Sequence, residues 1–135
     1  MKVIQGKTLE EALQKAGSVF LCGNAKSRQV PPLIPDDNLE VGINRYEEFT
    51  AIPPHYHLSA TEYKYVLQGA CKVWVVEEQK EYVLEAGSFF VIPPMTRFAW
   101  KHAPGTRILF VKNPGSQDRR EVEPDETVRE WMKEW

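Results

Sequence analysis

The feature that most constrains this chain is a succession of short runs rich in β-branched and aromatic residues, each closed off by proline or glycine. From Ser18 onward SVFLC, LEVGINRYEEF, TEYKYVL, CKVWVVEE, KEYVL, SFFVI, RFAWKH and RILFVK follow one another, punctuated by Pro31-Pro32, Pro53-Pro54, Gly69, Gly87, Pro93-Pro94 and Pro104-Gly105. Strands this short and this closely spaced predict an antiparallel sandwich or barrel. Helical periodicity is confined to the ends. Thr8 and Glu11 stand at capping-box spacing, Leu9, Ala12 and Leu13 share one face, and Gly17 stops the run, which predicts a helix over 8–16. After Asn113-Pro114-Gly115, Asp125 can cap a helix over 125–135 with Val128, Trp131, Met132 and Trp135 on one stripe. That stripe needs a surface to cover, either the outside of this barrel or that of a partner subunit.

A chain of 135 residues fits one domain, 1–135, with a barrel core over about 18–113. Lys and Arg number 17 against 19 Asp and Glu, and the basic residues are interspersed with acidic ones, so no nucleic-acid surface is visible. No apolar run approaches the roughly 20 residues that cross a bilayer, and the start MKVIQGKTLEEALQ lacks a signal peptide's apolar core. A cytoplasmic location is therefore expected, with Cys22 and Cys71 as reduced, small hydrophobes.

Chemistry concentrates in Pro53–Gly69, PPHYHLSATEYKYVLQG. On a strand His55 and His57 point the same way with Cα atoms about 6.6 Å apart. Glu62, five residues on, can approach the same point from an adjacent antiparallel strand. Two imidazoles and a carboxylate form a set suited to a divalent transition metal. Chance histidines facing water are the alternative, although burying them beside a carboxylate without an ion would leave polar groups costly to desolvate. Counting by twos from Glu62 turns Lys64 and Val66 inward and Tyr63, Tyr65 and Leu67 outward. A buried Lys64 must pair with Glu62 or receive an anionic group of a ligand, unless its stem snorkels to the rim.

The spacing His55-Tyr56-His57, four residues, Glu62, six residues, Gly69 resembles the first motif of the cupins, and Gly87-Ser88-Phe89-Phe90-Val91-Ile92-Pro93 resembles the start of the second. Between them CKVWVVEEQKEYVLEA reads as the expected pair of strands. The resemblance spans about residues 39–113 and implies an all-β fold, a cupin-type antiparallel β-barrel (double-stranded β-helix or jelly roll), here with short N-terminal and C-terminal helices. It also implies a metal held by His55, His57 and Glu62, and a homodimer. The chain departs from the pattern in two places: Phe49 stands where the first motif opens with glycine, and Phe98 where the second supplies a histidine ligand. The ligand set is then three, with His102, four residues beyond Phe98, as a possible addition. His102 would lie about 13 Å along the strand, out of reach without a bulge.

Two histidines and a carboxylate with open positions fit Fe, Mn, Zn or Ni. The expected function is a metal-dependent enzyme, an oxygenase or an isomerase or epimerase, acting on a sugar-like or anionic small molecule, with Lys64 as anion contact or acid/base. Met95, Phe98 and Trp100 would form an aromatic wall, and Arg45 a second positive charge. The alternatives are a metal-free small-molecule binding or sensing barrel, and a structural or regulatory protein working through its C-terminal helix.

Overall fold

The computed structural model describes residues 1–135. In chain order it forms α1 (Gly6–Ala16), β1 (Ser18–Gly23), β2 (Ile34–Pro35), β3 (Glu40–Tyr46), β4 (Thr50–His57), β5 (Thr61–Gln68), β6 (Ala70–Val75), β7 (Lys80–Glu85), β8 (Phe89–Ile92), β9 (Phe98–His102), β10 (Thr106–Asn113), β11 (Arg119–Glu121) and α2 (Glu126–Trp131). The strands make two sheets, one ordered β2-β1-β3-β10-β5-β8 and the other β11-β4-β9-β6-β7. Their inner faces meet in one apolar cluster, to which the first sheet contributes Val66, Ile92 and Ile108 and the second Cys71, Val73, Phe98 and Trp100. Gly69 turns the chain from one sheet into the other. Its φ is +75°, and a Cβ there would lie 2.7 Å from Thr106 Oγ1, so a side chain is excluded by both conformation and space.

Three expectations need correction. Pro53 and Pro54 do not end a strand but lie inside β4, at a register shift between Ile52 and His55. The N-terminal helix begins at Gly6 without a side-chain cap, so Thr8 and Glu11 form no capping box, while Gly17 ends the helix as expected. α2 stops at Trp131 rather than 135, although Asp125 caps it, its side chain accepting from Val128 N at 2.9 Å.

Of the two surfaces open to α2, it covers its own chain. Trp131 packs on Trp74 with ring centroids 6.0 Å apart and donates from Nε1 to Glu81. Lys101, an outward residue of β9, is sealed beneath it and donates from Nζ to the carbonyls of Trp131 and Glu134 at 2.6 and 2.7 Å. A lysine thus satisfies carbonyls that the end of the helix leaves free. No helix is long and apolar enough to cross a membrane.

Candidate metal centre

The prolines inside β4 aim the histidines. Ile52 pairs with Trp100 and His55 with Phe98, so three steps along β4 match two along β9. Strict alternation would put Ile52 and His55 on opposite faces; the extra residue restores them to one face. Ile52, His55 and His57 all line a cavity of about 270 Å³ that opens to solvent. His55 is further fixed by a 3.0 Å hydrogen bond from Nδ1 to the Pro53 carbonyl, which leaves Nε2 with its lone pair. Burial pushes the His55 pKa down to about 4, so the ring is a neutral ligand at pH 7.

Glu62 reaches the histidines, but not from an adjacent strand. β4 pairs with β9 and β11, whereas β5 pairs with β10 and β8, so Glu62 belongs to the facing sheet. The five-residue step from His57 to Glu62 crosses between sheets. Ligand atoms of His55, His57 and Glu62 lie within 4.8 Å of one another, and all three residues are buried. Donors bound to one tetrahedral or octahedral ion at about 2.2 Å stand roughly 3.1–3.6 Å apart, so seating an ion requires the direct His57–Glu62 contact to open and the widest separation to shrink by about an ångström. The donor chemistry and, with that adjustment, the geometry fit a divalent transition ion.

The charges around Glu62 are tightly matched. One carboxylate oxygen meets His57 Nε2 and the other meets Lys64 Nζ. Burial alone would raise the Glu62 pKa, but the Lys64 charge and the hydrogen bonds from His57 and Lys64 hold it well below the carboxylate range. For His57 burial acts downward, and Glu62 and Asp118 overcome it and raise the pKa. The direct His57 Nε2–Glu62 contact occupies the space that a shared ion would take, so an ion bound there would displace whatever proton that contact holds.

Asp118 is the residue that sequence reasoning missed. Its Oδ1 accepts from His57 Nδ1 at 2.8 Å, while Oδ2 accepts from Ser59 N, Ala60 N and Ser59 Oγ at 2.8, 2.9 and 3.0 Å. Those donors outweigh the effect of burial and keep its pKa well below the usual range. The carboxylate fixes which nitrogen of His57 faces Glu62, and such partners govern 10- to 100-fold in metal affinity. Replacement of Asp118 by Ala is expected to weaken Zn²⁺ binding by about that factor, as read by competition with a chromophoric chelator. Unchanged affinity would make Asp118 a turn residue only. No local signal marks it, because it lies 61 residues from His57.

The other expected site residues divide. Lys64, Val66 and Trp100 face inward, with Lys64 Nζ 4.2 Å from the Trp100 ring, while Tyr63, Tyr65 and Leu67 are exposed as counted. Phe98 is fully buried with its ring 4.4 Å from that of His55, but it faces a second, apolar cavity beside Val73 and Leu84 rather than the histidine cavity. Met95 is not part of a wall: it follows β8 in a left-handed turn, φ +64°, with its side chain exposed and its N–H donated to the His57 carbonyl. Arg45 points away, toward Leu13 O and Glu47, so the cavity gains no charge from it. His102 is neither a ligand here nor at the surface. It is wholly buried, stacked on Tyr46 at 3.7 Å with neither ring nitrogen hydrogen-bonded, and burial drives its pKa down to about 3. Glu40, Tyr46, Lys112, Gln117 and Arg119 also line the cavity, unanticipated.

A Cupin domain model matches residues 45–112, half of the chain. No curated protein matches. Among solved structures, KdgF from Halomonas sp. is 23% identical, with 61% of this chain and 74% of that one covered and a TM-score of 0.55. The polyketide cyclase RemF from Streptomyces resistomycificus is 21% identical over 73% of this chain and 70% of its own, with a TM-score of 0.59. A variant of Streptomyces PAC13 with uridine, a protein described as a unique nucleoside dehydratase, is 17% identical over 90% and 93% of the two chains, with a TM-score of 0.61. These likenesses are of fold, and together with the domain match they identify the chain as a member of the cupin family.

Proposed function

We propose that this cupin is a small-molecule enzyme that works with a divalent transition metal held by His55, His57 and Glu62. The observation that carries the reading is the convergence of three buried ligand atoms, drawn from two different sheets, onto the floor of a cavity. Nothing in core packing calls for two imidazoles and a carboxylate to meet there. When bound, the ion supplies Lewis acidity and an acidified water at its open positions. The chain's own groups do the rest. Asp118 holds His57 in register, Trp100 and Tyr46 exclude water from one side, and Lys64 stands beside Glu62 as the proton-carrying group nearest the ligands. Phe98, unable to coordinate, leaves open the position that a fourth protein ligand would fill.

The relatives in structure include a polyketide cyclase and a nucleoside dehydratase, and catalysis on a small organic molecule within the cavity is consistent with them. Self-association belongs to the same reading, because Tyr63, Tyr65 and Leu67 of β5 lie beside Phe89 and Val91 of β8 on an exposed outer face. One observation favours a metal-free binding barrel instead: Lys64 already neutralises Glu62. Elemental analysis after loading with Fe²⁺, Mn²⁺, Zn²⁺ or Ni²⁺ decides between them. The enzyme reading expects one ion per chain, lost in His57→Ala. Absence of stoichiometric metal under every loading condition establishes the metal-free barrel.

A further inference from the structure

We propose that the side of the cavity next to the metal ligands is a hydroxyl-recognition subsite, in which Glu40 and Lys112 take adjacent hydroxyls of a neutral, ring-shaped polyol. The inference rests on the reading of this cavity as a substrate site and names the class of molecule that enters it.

Strand register builds the subsite. Glu40 of β3 lies directly opposite Lys112 of β10, and Lys112 directly opposite Glu62 of β5, so the three form one row across the inner face. A group held between Glu40 and Lys112 is therefore about one and a half strand spacings, roughly 7 Å, from the row position of a metal ligand. Both side chains are sealed from bulk water, at 5% and 7% exposure, yet both line the cavity. Lys112 Nζ stands 3.4 Å from Glu40 Oε1, the loosest ion pair in the protein. The second oxygen of Glu40 accepts from Gln117 Nε2 at 3.3 Å.

This pairing selects against charged ligands. A carboxylate only accepts and an ammonium only donates, so a group that satisfies both at once must itself donate and accept, as a hydroxyl does. A ligand carboxylate or phosphate that approached Lys112 would meet Glu40. Of the other lining cations, Lys64 is held by Glu62 in a buried pair, and Arg119 stands at the solvent-exposed edge, where it pairs with Glu121 at 2.8 Å. The anionic group expected from the sequence therefore has no unpaired receptor in the buried part of the cavity. A buried ion pair contributes little to stability compared with an apolar pair of the same volume, so stability alone does not account for this one.

The neighbouring surface suits a ring. Phe110 lies across β3 at Gly42, where a Cβ would sit 2.6 Å from its Cζ, so the absent side chain is what lets the ring lie flat. Phe20 meets it edge-on at 6.2 Å. Both rings line the cavity next to the Glu40–Lys112 pair. Its volume of about 270 Å³ sits at the small end of ligand sites, matching one ring with its substituents.

Saturation-transfer NMR and calorimetry on the full chain test this, with metal content measured on the same samples. The probes are uridine, D-xylose and methyl glucoside, each beside a counterpart lacking adjacent hydroxyls, plus uracil, uridine monophosphate and glucuronate. At least one neutral polyol is expected to bind below about 20 mM and to lose tenfold or more in its deoxygenated form. The double variant Glu40→Met with Lys112→Met, which replaces the ion pair by an apolar one and so keeps the fold, is expected to abolish that binding while retaining wild-type metal content. Binding of no neutral polyol, tighter binding of an anionic counterpart, binding by uracil alone, or binding unaffected by the double variant each overturns the proposal. Polyol binding by protein that takes up no metal would overturn the metalloenzyme reading and leave the subsite standing.

Discussion

Metal-free protein carrying Lys64→Met is expected to be less stable than the wild type by about 3–5 kcal/mol, the cost of leaving one member of a buried ion pair without its partner. For a chain of this size that corresponds to a melting temperature lower by roughly 10–18 °C. The cause is specific. Lys64 Nζ is sealed at 5% exposure between Glu62 and the Trp100 ring, and without it the Glu62 carboxylate keeps only His57. A divalent ion reverses the sign of the problem. Lys64 repels a cation at the three ligands, so its removal raises metal affinity, and the ion then supplies the charge that Glu62 lost. Both proteins gain from linkage, so the gap closes by the ratio of their affinities, by about 4 kcal/mol if the variant binds the ion a thousandfold more tightly. Thermal melts in chelator and in excess Zn²⁺ provide the measurement. A deficit of the same size in both conditions would show that Lys64 supports the fold without belonging to the site.

The second large effect is acid lability between pH 6.5 and 4. His55 and His102 are both held neutral by burial, with pKa values near 4 and 3 against an ordinary 6.5. Below pH 6.5 the unfolded chain takes up protons at both positions and the folded chain does not, so stability falls as pH falls through that window. Each group contributes a slope of about 1.4 kcal/mol per pH unit, and together they lower stability by nearly 3 kcal/mol per unit. His57 has the opposite sign, since its raised pKa gives stability that is lost on going to higher pH. Glu62 and Asp118 add to the acid loss only below the ordinary carboxylate range. Denaturant melts of metal-free protein at pH 6 and 4.5 should show this slope halved in His102→Phe, which keeps the stack on Tyr46. The variant should also gain about 1–3 kcal/mol at pH 7, because two buried ring nitrogens without partners are removed. An unaltered slope would assign the lability elsewhere.

What was legible in the sequence follows from which interactions are local. Period-two alternation gave the inward and outward residues of β5 correctly, since a strand dictates them. The His-x-His spacing and the following Glu62 are likewise close in sequence, and the family pattern records them. The bulge at Pro53-Pro54 was read as a turn because proline signals both, and only the ladder with β9 distinguishes them. Met95 and Arg45 were misjudged for a related reason: a left-handed turn after β8 exposes the one, and α1 draws the other outward. Asp118 reaches His57, and Glu40 reaches Lys112, from distant segments brought together only by the fold, which no spacing encodes. The absence of a hydrogen-bond partner for His102 could not be read from a strand pattern at all, since alternation gives direction and not surroundings.

The crossing between His57 and Glu62 has a mechanical meaning. Two of the three ligands belong to one sheet and the third to the other, so an ion held there is a rivet through both layers of the sandwich. Prying the layers apart would break such coordination, and losing such an ion would loosen the layers away from the apolar cluster that clamps them at Val66 and Ile108. Whatever widened the mouth to admit a ligand would then strain the rivet, so that entry, ion retention and resistance to unfolding would be three readings of a single hinge coordinate.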